Sequence, residues 1–357
     1  MYGIEELLNR ARELGASDLH LTVASPPAFR IDGNLVIFPE DTALTSDDTR
    51  YFAQQIISEE RMVRQLQEEG QLDFALTYAA AGRVRISVYL QKGYHALAIR
   101  LLPGTIPELD ELGLPAVVRD LALKETGLVL VVGPAGSGKS TTLAAMLNML
   151  NKQRNLHAIT LEDPIEYLHE HGQSLINQRE VGSDTRSFVQ GLRAALRQDP
   201  DVILVGEMRD LETISTVITA AETGHLVLSS LHSTRAVQAI DRIIDVFPAF
   251  QQPQLRIQLA AALQGVISQQ LVPRQDGTGR VVAVEVLVAT PAVRNLIREG
   301  RTQQLYSQIQ TGSAWGMVTM EKSLQILWEK GLISTEELTR RAATGRPEGG
   351  GCRGDKR

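Results

Sequence analysis

A chain of 357 residues is long enough for two domains, or for one large domain with a substantial appendage. Hydrophobic residues make up 43% of it, enough for a buried core in each part, and the formal net charge of −6 argues against a mainly nucleic-acid-binding role. The single cysteine, Cys352, lies in a Gly-rich tail, which excludes a disulfide framework or a zinc ribbon within one chain.

The first residues, Met1-Tyr2-Gly3-Ile4-Glu5-Glu6, have neither a basic stretch nor an apolar core, so no secretory signal is expected. No apolar run approaches the ~20 residues of a membrane-spanning helix, and a cytoplasmic location is expected. A helix over residues 4–14 leads to Asp18-Leu19-His20-Leu21-Thr22-Val23, which alternates as a strand does. Asp32-Gly33 then separates two short apolar runs, a hairpin signal. One polar helix is predicted over 46–69, and two strands over 83–90 and 95–102 with Lys92-Gly93 turning between them. Pro103-Gly104 and Pro107 break the chain there, closing a small α+β unit.

Beyond Pro107 strands alternate with helices, the mark of a parallel sheet in an α/β core. Residues 128–132 form a continuous apolar run, as expected of a strand buried on both faces, and similar runs occur at 157–161, 202–205 and 226–229. The stretch 280–288 alternates more openly and suits a sheet edge. Thereafter the chain turns helical: Thr290 suits an N-cap, Pro291 the first helical position and Gly300 the C-terminal stop. A last helix starts at Ser334 with Glu337 three residues on, a capping box. The Gly-rich, charged tail is expected to be disordered, and its Arg353-Gly354-Asp355 is a chance likeness to an adhesion tripeptide.

Gly133-Pro134-Ala135-Gly136-Ser137-Gly138-Lys139-Ser140 matches the P-loop pattern in full, between a buried strand and a helix, and the candidate binding segment runs on to Thr141. Glycines let successive N–H groups turn toward phosphate oxygens, and the helix N-terminus adds positive potential. Lys139 is expected to reach the β- and γ-phosphates of ATP, and the Ser140 hydroxyl to ligate Mg²⁺. Downstream, residues 201–207 read as a buried strand ending in Glu207, the candidate for polarising the attacking water. Gly206 stands where an Mg²⁺-holding Asp often precedes that Glu, so Mg²⁺ is expected to be held through waters by Glu207, Glu162 or Asp163. Glu162-Asp163-Pro164 ends another strand, where paired acids can position water or metal-bound waters. His225 and His232 flank a strand, and each is a candidate γ-phosphate sensor, although a histidine beside a strand is more often structural. His169 and His171 read as solvated loop residues. Arg193 and Arg197 sit four apart on a predicted helix, and Arg85 and Arg100 on the late strands of the first unit; guanidinium groups suit phosphate because they stay charged and bind two oxygens at once.

In this order the motifs resemble the secretion-type ATPases of type IV pilus and type II secretion machines, from Ala16-Ser17-Asp18-Leu19-His20-Leu21 to about Ile333. Glu162-Asp163-Pro164 is similar to the family's Asp box, Leu204-Val205-Gly206-Glu207-Met208-Arg209-Asp210 to its unusual Walker B, and Thr223-Gly224-His225 with His232 to its His box. Ala292-Val293-Arg294-Asn295-Leu296-Ile297-Arg298-Glu299 is similar to a helix linked to retraction in the twitching-motility branch, with Val293 for the usual isoleucine. Ala135 stands where Thr is common. Assembly ATPases of the superfamily generally carry a four-cysteine zinc site and extra N-terminal domains, and neither is expected here.

The resemblance implies a PAS-like N-terminal domain (1–104), a RecA-like ATPase core (105–289), a helical C-terminal subdomain (290–343) and a tail (344–357). It implies catalytic roles for the acid pair, Glu207, both histidines and the four arginines, with ATP and Mg²⁺ as cofactors. It further implies a homohexameric ring acting on an inner-membrane pilus platform protein at the pilus base, alongside a paralogous retraction ATPase and without nucleic acid. On the helix after Pro291, Val293, Leu296 and Ile297 share a face and are expected to be buried, leaving Arg294, Arg298 and Glu299 available to a partner. A DNA translocase would use the same ring but needs basic channel residues; a non-hydrolysing accessory subunit would lack the catalytic groups present here.

Overall fold

The computed structural model describes residues 3–57 and 59–344. The expected disordered tail, with Arg353-Gly354-Asp355, lies outside the described residues from position 345 on. Two compact units emerge, one of Met1–Thr105 with Pro164–Leu168, the other of Ile106–Asp163 with His169–Arg357.

The first unit comprises α1 (Ile4–Glu13), β1 (Asp18–Leu21), β2 (Ala28–Ile31), β3 (Asn34–Ile37), α2 (Ser46–Ile56), α3 (Glu60–Glu69), β4 (Gln71–Tyr78), β5 (Gly82–Gln91) and β6 (Tyr94–Leu101). Its sheet runs β3-β2-β1-β6-β5-β4, every pair antiparallel. Leu7, Leu8, Leu19, Phe29, Phe52, Ile86 and Ile99 form its core. The hairpin at Asp32-Gly33 is present, with both residues at positive φ. The single helix predicted over 46–69 is instead two. Thr45 and Asp48 cap α2 reciprocally, but Ile57 leaves the helix in an extended conformation, buried like Ile56 beside it. Strand β4 was not legible in the sequence; Leu72 is its one fully buried side chain, so it lacks the strong apolar alternation of a core strand.

The second unit contains α4 (Val117–Ala122), β7 (Gly127–Val132), α5 (Lys139–Gln153), β8 (His157–Glu162), β9 (Leu175–Glu180), α6 (Phe188–Ala195), β10 (Val202–Val205), α7 (Leu211–Glu222) and β11 (Leu226–Leu231). Then come α8 (Ala236–Asp245), α9 (Gln252–Ala262), β12 (Leu263–Pro273), β13 (Arg280–Val288), α10 (Pro291–Arg298), α11 (Leu305–Thr311), α12 (Met320–Glu329) and α13 (Thr335–Thr344). Seven strands lie in the order β13-β12-β7-β11-β10-β8-β9, parallel throughout except for the antiparallel edge strand β13. Strands β7, β10 and β11 are buried at every residue, which is why β7 and β10 read as continuous apolar runs; in β11 the buried Ser229 and Ser230 bond the carbonyls of Val205 and Gly206. Strands β9 and β12, not predicted, complete the sheet; β12 carries Ser268, Gln269 and Gln270 in its middle, which interrupts an apolar signal.

Helix ends follow their predicted chemistry in part. Thr290 caps α10, accepting from the Val293 N–H, with Pro291 at its start and Gly300 left-handed after it. At Ser334 only half of the capping box forms: Ser334 Oγ accepts from Glu337 N at 3.2 Å, while the Glu337 carboxylate turns to Arg340 and Arg341. Among the described residues no helix is long and apolar enough to cross a membrane.

Candidate active site

Strand β7 delivers the chain to Gly133 at the C-terminal edge of the sheet, and α5 begins six residues later at Lys139. Gly133 has no room for a side chain: a Cβ there would fall 2.5 Å from the Gln269 carbonyl oxygen and closer still to Ser137 Oγ. Gly136 and Gly138 take φ of +72° and +90°, a region that L side chains rarely adopt. The loop curls around the start of α5, where helix N–H groups and the macrodipole favour an anion. Lys139 Nζ donates to the carbonyls of Gly133 and Pro134, 3.0 Å each, and so lies along the loop. Ser140 is exposed on the first turn, while Ser137 is buried with its hydroxyl unpartnered. A narrow glycine cradle, an adjacent lysine and an exposed hydroxyl fit a polyphosphate with its Mg²⁺; among the described residues no His/Cys/Asp/Glu cluster offers a separate metal site.

Parallel register brings three other strand ends to the same edge. Val132 pairs with Leu231, Val205 with Ser229, and Val205 with Leu161. His232, Glu207 and the Glu162-Asp163 pair therefore follow β11, β10 and β8 on the P-loop side. Backbone and hydroxyl bonds tie the ends together: Gly206 N donates to Leu161 O at 2.8 Å, Met208 N to Ser230 O at 3.1 Å, and Ser230 Oγ to Gly206 O at 2.6 Å.

Glu207 is nearly buried, its carboxylate only 13% exposed. One oxygen is bonded to Arg209; the other, Oε2, is buried without a hydrogen bond, 3.5 Å from His232 Nε2. Burial, and then the Lys139 charge, hold the His232 imidazole below its ordinary value against the opposing pull of Glu207, so it is neutral at neutral pH. Glu207 in turn raises the Arg209 guanidinium further above its usual range. Glu162 is oriented by Thr160 Oγ1 at 2.6 Å and Gln178 Nε2 at 3.2 Å, whereas Asp163 is exposed.

Other predicted site residues do not follow these strand ends. His225 precedes β11, and its carbonyl accepts from Gly127 N at the start of β7, which places it at the sheet edge opposite the P-loop. Seven steps along the strand at ~3.3 Å each separate it from His232, about 23 Å. Within this chain it closes α7, its Nδ1 2.9 Å from Ala220 O, and it does not reach the phosphate site of the same subunit. Arg193 and Arg197 do not share a helix face, because α6 ends at Ala195; Arg193 approaches Glu212 at 3.9 Å and Arg197 is exposed beyond the helix. Arg85 and Arg100 are paired directly across β5 and β6, and Arg100 is held by Asp18 at 2.9 Å. His169, read as solvated, is largely buried, and burial pushes its imidazole down to about 4.

Two contributors were not singled out from sequence. Arg209 bonds Glu207 directly. Gln269, 1% exposed, reaches from β12 to the P-loop. A polar triplet inside an otherwise apolar strand was the available signal for the second.

The family described as type II/IV secretion system protein matches residues 2–340. A type IV pilus retraction ATPase, PilT, of Pseudomonas aeruginosa is 45% identical over 341 residues, covering 95% of this chain and 98% of its own. A twitching motility protein of Neisseria gonorrhoeae is 50% identical over 276 residues, 77% of this chain and 74% of its own. A crystal structure of the pilus retraction motor PilT with bound ADP superposes with a TM-score of 0.90 at 48% identity, covering 98% of both chains.

Proposed function

The chain belongs to the type II/IV secretion system protein family and is an ATP-hydrolysing enzyme, and we propose that it is the motor that powers type IV pilus retraction. One observation carries the chemical part of this reading. Four neighbouring strands of one sheet present a P-loop, a histidine, a glutamate with a buried oxygen that makes no hydrogen bond, and an acid pair at one edge.

In the proposed reaction the triphosphate of ATP lies in the Gly133–Thr141 cradle, held by loop N–H groups, and Lys139 leaves the Gly133 and Pro134 carbonyls for the β- and γ-phosphates. Mg²⁺, held by Ser140 and through waters by Glu162 or Asp163, would neutralise phosphate charge. Glu207 Oε2 accepts a proton from the water that attacks the γ-phosphorus, giving ADP and phosphate. His232 donates a hydrogen bond toward the γ-phosphate, and Arg209 stands beside Glu207 to balance charge.

Mechanical output needs identical subunits joined head to tail in a closed ring, here a homohexamer. In such a ring His225, which faces away from its own nucleotide, would act toward a neighbouring subunit's, while Arg193, Arg197, Arg85 and Arg100 would serve a nucleotide of their own or of a neighbouring subunit. The ring would work in the cytoplasm beneath an inner-membrane platform protein, with a paralogous ATPase as a second partner. Deleting the gene and counting surface pili tests the direction of work. Retraction predicts an excess of pili and lost twitching; absence of pili would reassign the chain to assembly.

A further inference from the structure

We propose that Gln269 is a positioning residue of the P-loop, an amide strut that fixes the Ser137–Gly138 peptide so that its N–H faces the nucleotide phosphates. The inference rests on the P-loop reading above and extends it to a strand outside the motif.

Gln269 lies on β12, next to β7 in the sheet, and is 1% exposed. Its Nε2 donates to the Ser137 carbonyl at 2.8 Å, and its Oε1 accepts from Thr142 Oγ1 at 3.1 Å. Ser137 and Thr142 are themselves 3% and 2% exposed, so no water competes for these bonds. The two bonds fix the amide's sense: a donor faces the loop and an acceptor faces the helix, and a flipped amide would set carbonyl against carbonyl. Gln269 also underlies both flanking glycines. Its own carbonyl oxygen lies where a Gly133 side chain would go, and its Nε2 is 3.1 Å from a Cβ built at Gly138.

In a trans peptide the C=O of one residue and the N–H of the next point to opposite sides of the plane. Anchoring the Ser137 carbonyl inward on Gln269 therefore turns the Gly138 N–H outward, the orientation a phosphate-binding loop requires. Gly138 at φ +90° has no side chain to enforce that setting, and Thr142 belongs to the helix that the loop opens. The strut thus ties loop, helix and sheet into one preorganised cradle. Such a cradle holds the nucleotide equally in ground and transition states, so its loss weakens binding more than turnover.

The test measures Mg²⁺·mant-ADP binding by fluorescence, MgATP kinetics, and melting temperature for wild type and five variants. Gln269→Leu keeps the size and removes both bonds; Gln269→Glu can accept from Thr142 but repels the Ser137 carbonyl. Both lose the Ser137 bond and are expected to raise Kd about tenfold, about 1.4 kcal/mol, with kcat at saturation changed by less than about threefold. Thr142→Val frees the amide to turn and is expected to weaken binding about threefold. Gln264→Leu is the control. It lies on the same strand and also bridges to a carbonyl, that of Thr126 at 3.0 Å, before the start of β7 and away from the loop. It should lower the melting temperature and leave Kd unchanged. Unaltered Kd in folded Gln269→Leu, or an equal rise in Gln264→Leu, overturns the proposal. If Gln269→Leu does not fold, the Glu and Val variants decide by the same criterion. Failure of wild type itself to bind, or undiminished binding by Lys139→Ala, would instead remove the P-loop reading on which the proposal stands.

Discussion

Arg294 and Arg298 occupy one turn of α10 in the helix whose sequence resembles a retraction element, and the structure separates them sharply. Arg298 is exposed. Arg294 is not available to a partner: its Nε donates to Ala289 O at 2.9 Å, Nη1 to Ala260 O at 2.6 Å and Ala261 O at 2.7 Å, and Nη2 to Gln264 Oε1 at 3.3 Å. Ala260 and Ala261 end α9, so the guanidinium satisfies carbonyls that have no helical partner and meets the negative end of that dipole. Burial, then Arg298, lowers its pKa from a high starting value, yet the group stays charged at neutral pH. Replacing Arg294 with Ala leaves those acceptors without their charged donor. Hydrogen bonds to charged groups contribute about 1.5–3 kcal/mol, and partial rehydration offsets some of the loss, so a net destabilisation of about 2–3 kcal/mol is expected. At about 2–4 °C per kcal/mol for a domain of this size, calorimetry should show melting lowered by about 4–12 °C. Arg298→Ala should cost less than about 0.5 kcal/mol and melt as wild type. Twitching lost in Arg298→Ala at normal stability identifies the docking residue; equal stability of Arg294→Ala and wild type would refute the capping argument.

Lys139→Ala is expected to abolish ATPase turnover in purified protein, and near-normal activity would show the P-loop assignment to be wrong. Glu207→Gln conserves shape and removes only the basic oxygen, so it should bind MgATP normally and hydrolyse it roughly 10²–10⁴-fold more slowly in single-turnover assays; a defect wholly in affinity would make Glu207 a structural or metal-holding group. His169 is neutral in the fold, held down to about 4 from 6.5, whereas the unfolded chain takes up a proton below about 6.5. Stability should therefore fall with pH between about 6.5 and 4, by about 1.4 kcal/mol per unit, and His169→Gln should flatten that part of the denaturation profile.

Legibility in the sequence tracked how local each constraint is. The P-loop could be read outright because its glycines, lysine and flanking strand and helix are contiguous. The Thr290–Pro291–Gly300 punctuation of α10 was legible for the same reason. Residues bound by tertiary neighbours were not. Arg294 looks solvent-facing on a helical wheel, and only the placement of α9 takes it; Leu296, expected to be buried, is partly exposed. Strand β9 sits at the sheet edge, with Leu175 exposed and Asn177, Gln178 and Arg179 after it, so its sequence resembles a loop. Arg197 seemed to share a helix face with Arg193 because nothing in Leu196-Arg197-Gln198 signals a stop, although Asp199 then adopts φ +55° before Pro200.

Strand order adds a ranking of roles that chain order hides. Along the sequence the acid pair at Glu162-Asp163 comes soonest after the P-loop and His232 last, but across the sheet the sequence is β7, β11, β10, β8. With neighbouring strands ~4.8 Å apart, the strand ending at His232 lies about 5 Å from that of the P-loop, the Glu207 strand about 10 Å, and the Glu162 strand about 14 Å. In the proposed reaction a γ-phosphate held beyond Gly133 would lie within direct reach of His232, and within reach of Glu207 through the attacking water. Glu162 is farther by a strand and is already engaged by Thr160 and Gln178, so it can act only across ordered water or the hydration shell of a metal. Gly206 stands where an Asp often precedes the glutamate, here Glu207. A Cβ at Gly206 would make only ordinary contact, 3.4 Å from Leu161 O, so sterics do not exclude an acid there; in the proposed mechanism its Mg²⁺-holding role would pass to Glu162 or Asp163 at the end of β8.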